Sequence, residues 1–113
     1  VVMDIDYFRQ LNASEGRARG DEVLREMAKL LGNAAGSGDV VVRMGGDEFA
    51  VVMPHASENA VRELAERLVK SSRDGMPAVF TLGWAVRETD EPLESTLRRA
   101  DKMLLRLRAA ERS

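Results

Sequence analysis

Residues 40–54 read VVVRMGGDEFAVVMP, two apolar runs that meet at Gly45 and Gly46 and carry adjacent acids, Asp47 and Glu48, at their junction. β-Branched residues on both sides of a glycine pair predict a hairpin. Its strands run from Val40 to Met44 and from Glu48 to Met53, and Pro54 closes it. Acids at such a turn ordinarily face solvent. They acquire a second meaning if a further acid from a neighbouring strand comes beside them.

Working outward, Val1 to Ile5 is a short β-branched run, followed from Asp6 by a helical pattern that stalls in NASEGRARG. Asp21 and Glu22 are expected to open a helix whose stripe is Val23, Leu24, Met27, Leu30 and Leu31, ended by Gly32 and Asn33. After the hairpin, Ser57 is a plausible N-cap for a helix bearing Val61, Leu64, Ala65, Leu68 and Val69. SSRDGMP breaks the chain, residues 78–86 read as a strand, and Leu93, Leu97, Ala100, Leu104 and Leu107 mark a last, arginine-rich helix. The order is β, α, α, β, β, α, β, α. A hairpin between helical units makes the sheet at least partly antiparallel, an α+β layer with helices packed on one face.

The 113 residues fit one domain. With 17 basic against 19 acidic residues, the net charge of −2 supplies no global field for a nucleic acid or an anionic membrane. There is no cysteine, which excludes disulfides, thiolate metal sites and cysteine nucleophiles, and no apolar run long enough for a membrane helix. A cytoplasmic domain with no nucleic-acid partner and no membrane contact is the expectation. His55 has no spaced partner and reads as a loop residue; Trp84, Met3, Met27, Met53 and Met103 read as core.

Strand alternation puts Asp4 and Asp6 on one side if the first strand continues that far, although Asp6 also suits a helix N-cap. If Asp4 approaches Asp47, two carboxylates about 4 Å apart repel by about 4 kcal/mol at an effective dielectric near 20, unless a cation intervenes. Mg²⁺ meets that need, because it takes one or two carboxylates together with water and substrate phosphates. Gly45 and Gly46 would let a bulky polyanion approach the backbone.

GGDEF at 45–49, preceded by MDIDYFRQLN and GRARGDEVL and followed by FTLGWAV and RRADKMLLRLR, resembles the GGDEF family of diguanylate cyclases over almost the whole chain. The resemblance implies a palm-like antiparallel-containing sheet flanked by helices. It also implies a reaction that joins two GTP molecules, one per subunit of a transient homodimer, into cyclic di-GMP. By position Asp4, the carbonyl of Ile5 and Asp47 are the implied ligands of Mg²⁺ or Mn²⁺, and Asp47 or Glu48 the implied proton acceptor. Asn12 and Asp21 match the guanine-reading pair. Phe8, Arg9, Gly45, Gly46 and Arg108 match the substrate-binding set, with arginine replacing lysine at 9 and 108. The bland alternative for Arg108 is a solvated helix arginine.

Departures from the family pattern are Ala13, Glu15, Arg17, Leu105 and Glu111. The product-inhibition motif RxxD falls on GSGD, so Asp39 remains but Gly36 replaces the arginine, and no inhibitory site is expected. The family's preceding helix and turn are absent from the sequence, so residues 1–113 are expected to be a GGDEF domain without that segment, attached to a sensory or regulatory domain. The alternative from another class is an inactive GGDEF module that binds GTP or mediates regulatory association. A palm-type polymerase or adenylate cyclase shares the metal logic but leaves Asn12 with Asp21 unexplained.

Overall fold

The computed structural model describes residues 1–74 and 78–112. In chain order the elements are β1 (Val2–Ile5), α1 (Phe8–Glu15), α2 (Arg17–Ala34), β2 (Val40–Gly45), β3 (Glu48–Val52), α3 (Glu58–Arg73), β4 (Phe80–Gly83) and α4 (Leu93–Arg112). The sheet order is β2-β3-β1-β4, and every pairing is antiparallel. The order expected from sequence holds. Of the expected break SSRDGMP, Ser71, Ser72 and Arg73 instead form the last turn of α3, and residues 75–77 lie outside the described residues.

The helices occupy both faces of the sheet, not one. Met3, Ile5, Phe49, Val51, Phe80 and Leu82 turn to the side that holds Val23, Met27 and Leu31 of α2 and Leu64 and Leu68 of α3. Val2 and Ala50 turn the other way, against Ala100 and Leu104 of α4. The physical reason is visible in β1: successive strand residues face opposite sides, and Val2 and Met3 are both buried. Each fully buried side chain such as Met27, Leu31 or Leu64 contributes about 2 kcal/mol by leaving water.

The bounds of two elements, α2 and β4, differ from expectation. Arg17, Ala18 and Arg19 are good helix formers, so α2 begins at Arg17 and Asp21 stands one turn inside it. Only Gly16, at φ 88°, separates α1 from α2. Ala34, not Gly32 with Asn33, is the last residue of α2. The last strand is shorter than residues 78–86, because after Gly83 the chain engages α4, where the Trp84 amide donates to Met103 Sδ at 3.4 Å.

Local chemistry fixes the remaining joints. Ser57 caps α3 as expected, its hydroxyl accepting from the Ala60 amide at 3.1 Å. Near the other end of α3 the buried Ser72 hydroxyl donates to the Phe80 carbonyl at 2.7 Å and accepts from the Phe80 amide at 3.0 Å, pinning α3 to β4. Ahead of α4, Glu91 accepts from Arg99, from the Thr96 hydroxyl and from the Glu88 amide, which draws its carboxyl down to about 2. The middle of α4 lies directly on β4: a Cβ at Gly83 would stand 2.1 Å from the Ala100 carbonyl oxygen. Across the same sheet face α4 leaves β2 uncovered, so Val40, Val42 and Met44 are exposed. Among the described residues no helix is long and apolar enough to cross a membrane.

Candidate active site

The register of β1 sets the site. Asp4 lies opposite Glu48 on β3 and Thr81 on β4, which puts all three on the face occupied by α4. At the hairpin tip, Gly46 adopts φ 43° and nothing would touch a Cβ placed on either glycine. The tip is therefore open, and its glycine requirement at residue 46 is conformational. Arg43 donates from Nε and Nη2 to the Gly46 carbonyl at 3.0 and 2.6 Å, which fixes the turn. The Ile5 amide then donates to the Asp47 carbonyl at 3.2 Å and ties the turn to the end of β1.

This tie sets the Asp47 carboxyl beside Asp4. Burial, and then the neighbouring Asp4, push Asp47 above the ordinary carboxylate value. Glu48 is raised too, by burial first and then by Asp101, Asp4 and Asp47. Acids raised in this way hold protons more readily than ordinary carboxylates, a property that suits proton abstraction. Asp4 and Asp47 are thus neighbours at the junction of β1 with the hairpin tip.

Arg108 answers the negative charge. From α4 its Nη1 donates to Asp4 Oδ2 at 2.8 Å, while its Nη2 donates to Asp6 Oδ1 at 2.7 Å and to the Asp4 carbonyl at 3.2 Å. Burial works against the guanidinium charge, but the bonds to Asp4 and Asp6 outweigh it and hold Arg108 above its ordinary value. It is not a solvated helix arginine. Asp6 does not cap α1: residue 7 holds the cap position, and Asp6 instead accepts from the Thr81 hydroxyl at 2.9 and 3.0 Å.

A cavity of 230 Å³ opens beside these groups, lined by Ile5, Phe8, Arg9, Asp47 and Arg108, all anticipated. Tyr7 and Gln10 also line it and were not anticipated; nothing in their residue types distinguishes them from ordinary helix-entry residues. Thr81 and Asp6 were likewise missed as partners, although a threonine in the apolar run FTLGW was a readable sign of a polar neighbour. Asn12 and Asp21 do not line this cavity. They sit on either side of the Gly16 joint, with the Asn12 amide against Gly20: a Cβ there would lie 1.7 Å from Asn12 Oδ1. Asp39 accepts from the Gly36 amide at 2.7 Å and closes its own loop.

The donor set fits a hard dication. Asp4 Oδ1 is buried without a hydrogen-bond partner, and a second carboxylate stands beside it. Among the described residues no three His, Cys, Asp or Glu side chains gather into a complete cage. Two carboxylates, with the remaining positions left to water and phosphate, are the ligand set that Mg²⁺ favours.

The family profile described as "Diguanylate cyclase, GGDEF domain" matches residues 1–113. The chain belongs to the GGDEF family. Diguanylate cyclase A of Treponema denticola is 35% identical over 113 residues, which are 92% of this chain and 30% of that protein. Diguanylate cyclase DgcM of Escherichia coli is 33% identical over 111 residues, 94% of this chain and 27% of that protein. The GGDEF domain therefore spans under a third of the length of these curated relatives. Among solved structures, the GGDEF domain of DgcB from Caulobacter crescentus, in complex with c-di-GMP, superimposes with a TM-score of 0.85 at 29% identity, covering 96% of this chain and 70% of that one. The active GGEEF domain of a Vibrio cholerae diguanylate cyclase gives 0.83 at 26% identity, covering 96% and 74%. The palm-like α+β architecture expected from the resemblance is the architecture of the domain.

Proposed function

We propose that this GGDEF domain is a diguanylate cyclase, joining two GTP molecules into cyclic di-GMP across a transient homodimer. The observation that supports it most is the meeting of Asp4 with Asp47, one of whose oxygens, Asp4 Oδ1, is buried and unpartnered. Asp4, Asp47 and the carbonyl of Ile5 would hold Mg²⁺ or Mn²⁺. When bound, the dication supplies neutralisation of phosphate charge and a more acidic attacking hydroxyl.

The chain's own groups do the rest. Asp47 or Glu48, both raised above the ordinary carboxylate value, accepts the proton of the 3′-hydroxyl. Arg9 and Arg108 line the cavity beside Asp47 and offer guanidinium forks to the phosphates. Phe8 shields that cavity, while Gly45 and Gly46 leave the tip open to a polyanion. Asn12 and Asp21 read guanine, the carboxylate accepting from N1–H and N2–H. The second copy supplies the second GTP, and a sensory or regulatory domain elsewhere in the full-length protein sets how often two copies meet. Feedback through the RxxD position is absent, since Gly36 has no guanidinium and Asp39 is spent on its own loop.

The test is incubation of the full-length protein with GTP and Mg²⁺, with products separated by chromatography, beside Asp47→Ala. Cyclic di-GMP from the wild type alone supports the enzyme. GTP binding without product assigns the chain to the regulatory modules instead.

A further inference from the structure

We infer that Arg108 is the resident counter-ion of this site, and that it exchanges with the dication for Asp4 while Asp6 and Thr81 keep its guanidinium at the mouth. The inference rests on the proposed dication seat.

Arg108 makes three bonds, and they are not equivalent. Two go to Asp4, at Oδ2 and at the main-chain carbonyl, and one goes to Asp6. Asp6 is the fixed end: its side chain is 7% exposed against 20% for Asp4, and the Thr81 hydroxyl holds it at both oxygens. Among the described residues the side-chain neighbours of Asp4 are Arg108 and the Asp47 carboxyl, and its Oδ1 has no hydrogen bond. A dication seated between Asp4 and Asp47 therefore takes over the neutralisation that Arg108 provides, without disturbing the Asp6 tether.

The guanidinium is also under-used where it stands. Its Nε is buried with no acceptor, and buried unpaired donors are costly. Once Nη1 leaves Asp4, Nε and Nη1 are both donors without a partner, on a side chain that lines the same cavity as Arg9. A phosphate entering with the dication satisfies both. Metal entry and phosphate capture are thereby linked through one side chain. Asp6 is on this reading a positioning residue that acts through Arg108.

The experiment is titration of Mn²⁺, followed by its electron paramagnetic resonance signal, into the full chain and Arg108→Gln, with and without a non-hydrolysable GTP analogue. Without nucleotide the variant should bind Mn²⁺ about tenfold more tightly, because the competing charge has gone. With Mn²⁺ saturating, its affinity for the analogue should fall about tenfold, because a phosphate donor has gone. These opposite signs do not arise from a merely structural role. Should the neutral variant fail to fold by circular dichroism, Arg108→Lys keeps the charge without the fork and should move both affinities the same way by less. Mn²⁺ affinity that is unchanged or weaker would overturn the exchange alone. Failure of every form to bind Mn²⁺ with the analogue present would overturn the dication seat itself, and this inference with it.

Discussion

Replacing Gly83 by alanine tests how α4 is seated. The added methyl would lie 2.1 Å from the Ala100 carbonyl oxygen, 2.6 Å from the Leu104 amide nitrogen and 3.1 Å from Met103 Cβ. The first two are main-chain atoms of a regular helix, so no rotamer change relieves them. To restore contact, α4 must lift by about 1 Å, and overpacking of this kind costs about 3 kcal/mol. With a urea dependence of about 1.5 kcal/mol/M, the unfolding midpoint should fall by about 2 M. The melting temperature should fall by about 10 to 20 °C. Arg108 rides on the same helix, and a lift of about 1 Å carries its bonds of 2.7 and 2.8 Å to Asp6 and Asp4 beyond the ordinary hydrogen-bond range. Loss of stability should therefore come with altered Mn²⁺ binding in the molecules that remain folded. A midpoint change equivalent to less than about 0.5 kcal/mol would refute close seating of α4 on β4.

Ser72→Ala removes the hydroxyl that both donates to and accepts from Phe80; leaving two buried main-chain groups unpaired should cost about 3 kcal/mol in urea unfolding. For the metal-free protein, Asp47 and Glu48 are raised in the folded state, so the native chain holds more protons than the unfolded one. Their contribution to stability should decline as pH rises from their ordinary values of 3.8 and 4.5 until both are ionised, and added Mg²⁺ should flatten the decline; urea midpoints in EDTA and in Mg²⁺ measure both. Glu91 acts oppositely, its contribution being complete above 4.5 and lost as pH falls through about 2, so the two effects separate on the pH axis. Asp21→Asn, at an exposed position, should leave the unfolding midpoint within about 0.5 kcal/mol of wild type. The same change should weaken discrimination of GTP against ATP by about tenfold in competition binding.

What could be read from the sequence was what repeats or what is chemically singular. The hairpin was legible because β-branched runs flank a glycine pair, and α3 because its stripe and its Ser57 cap agree. Asp4 with Asp47 followed from strand alternation and a family motif together. The start of α2 was misread because glycine, serine and asparagine in NASEGRARG look like a loop, whereas one residue, Gly16, makes the whole break. The placement of helices on both faces was encoded in the consecutive burial of Val2 and Met3, but a run of five residues does not distinguish one buried face from two. Arg108 was legible as a cation and not as a partner of Asp4 and Asp6, because its contacts span more than a hundred positions, a separation that no local pattern records.

The single glycine between α1 and α2 is a joint between two arms. Asn12 and Asp21 stand on opposite arms of that joint, and the closeness of the arms is limited by an amide resting on a bare Cα at Gly20. If Asn12 and Asp21 read guanine as proposed, purine choice is set by a caliper whose opening is adjusted at residues 16 and 20, away from Asp4 and Asp47. On that proposal, drift at those two positions would retune which nucleobase is admitted while leaving Asp4 and Asp47 as they are.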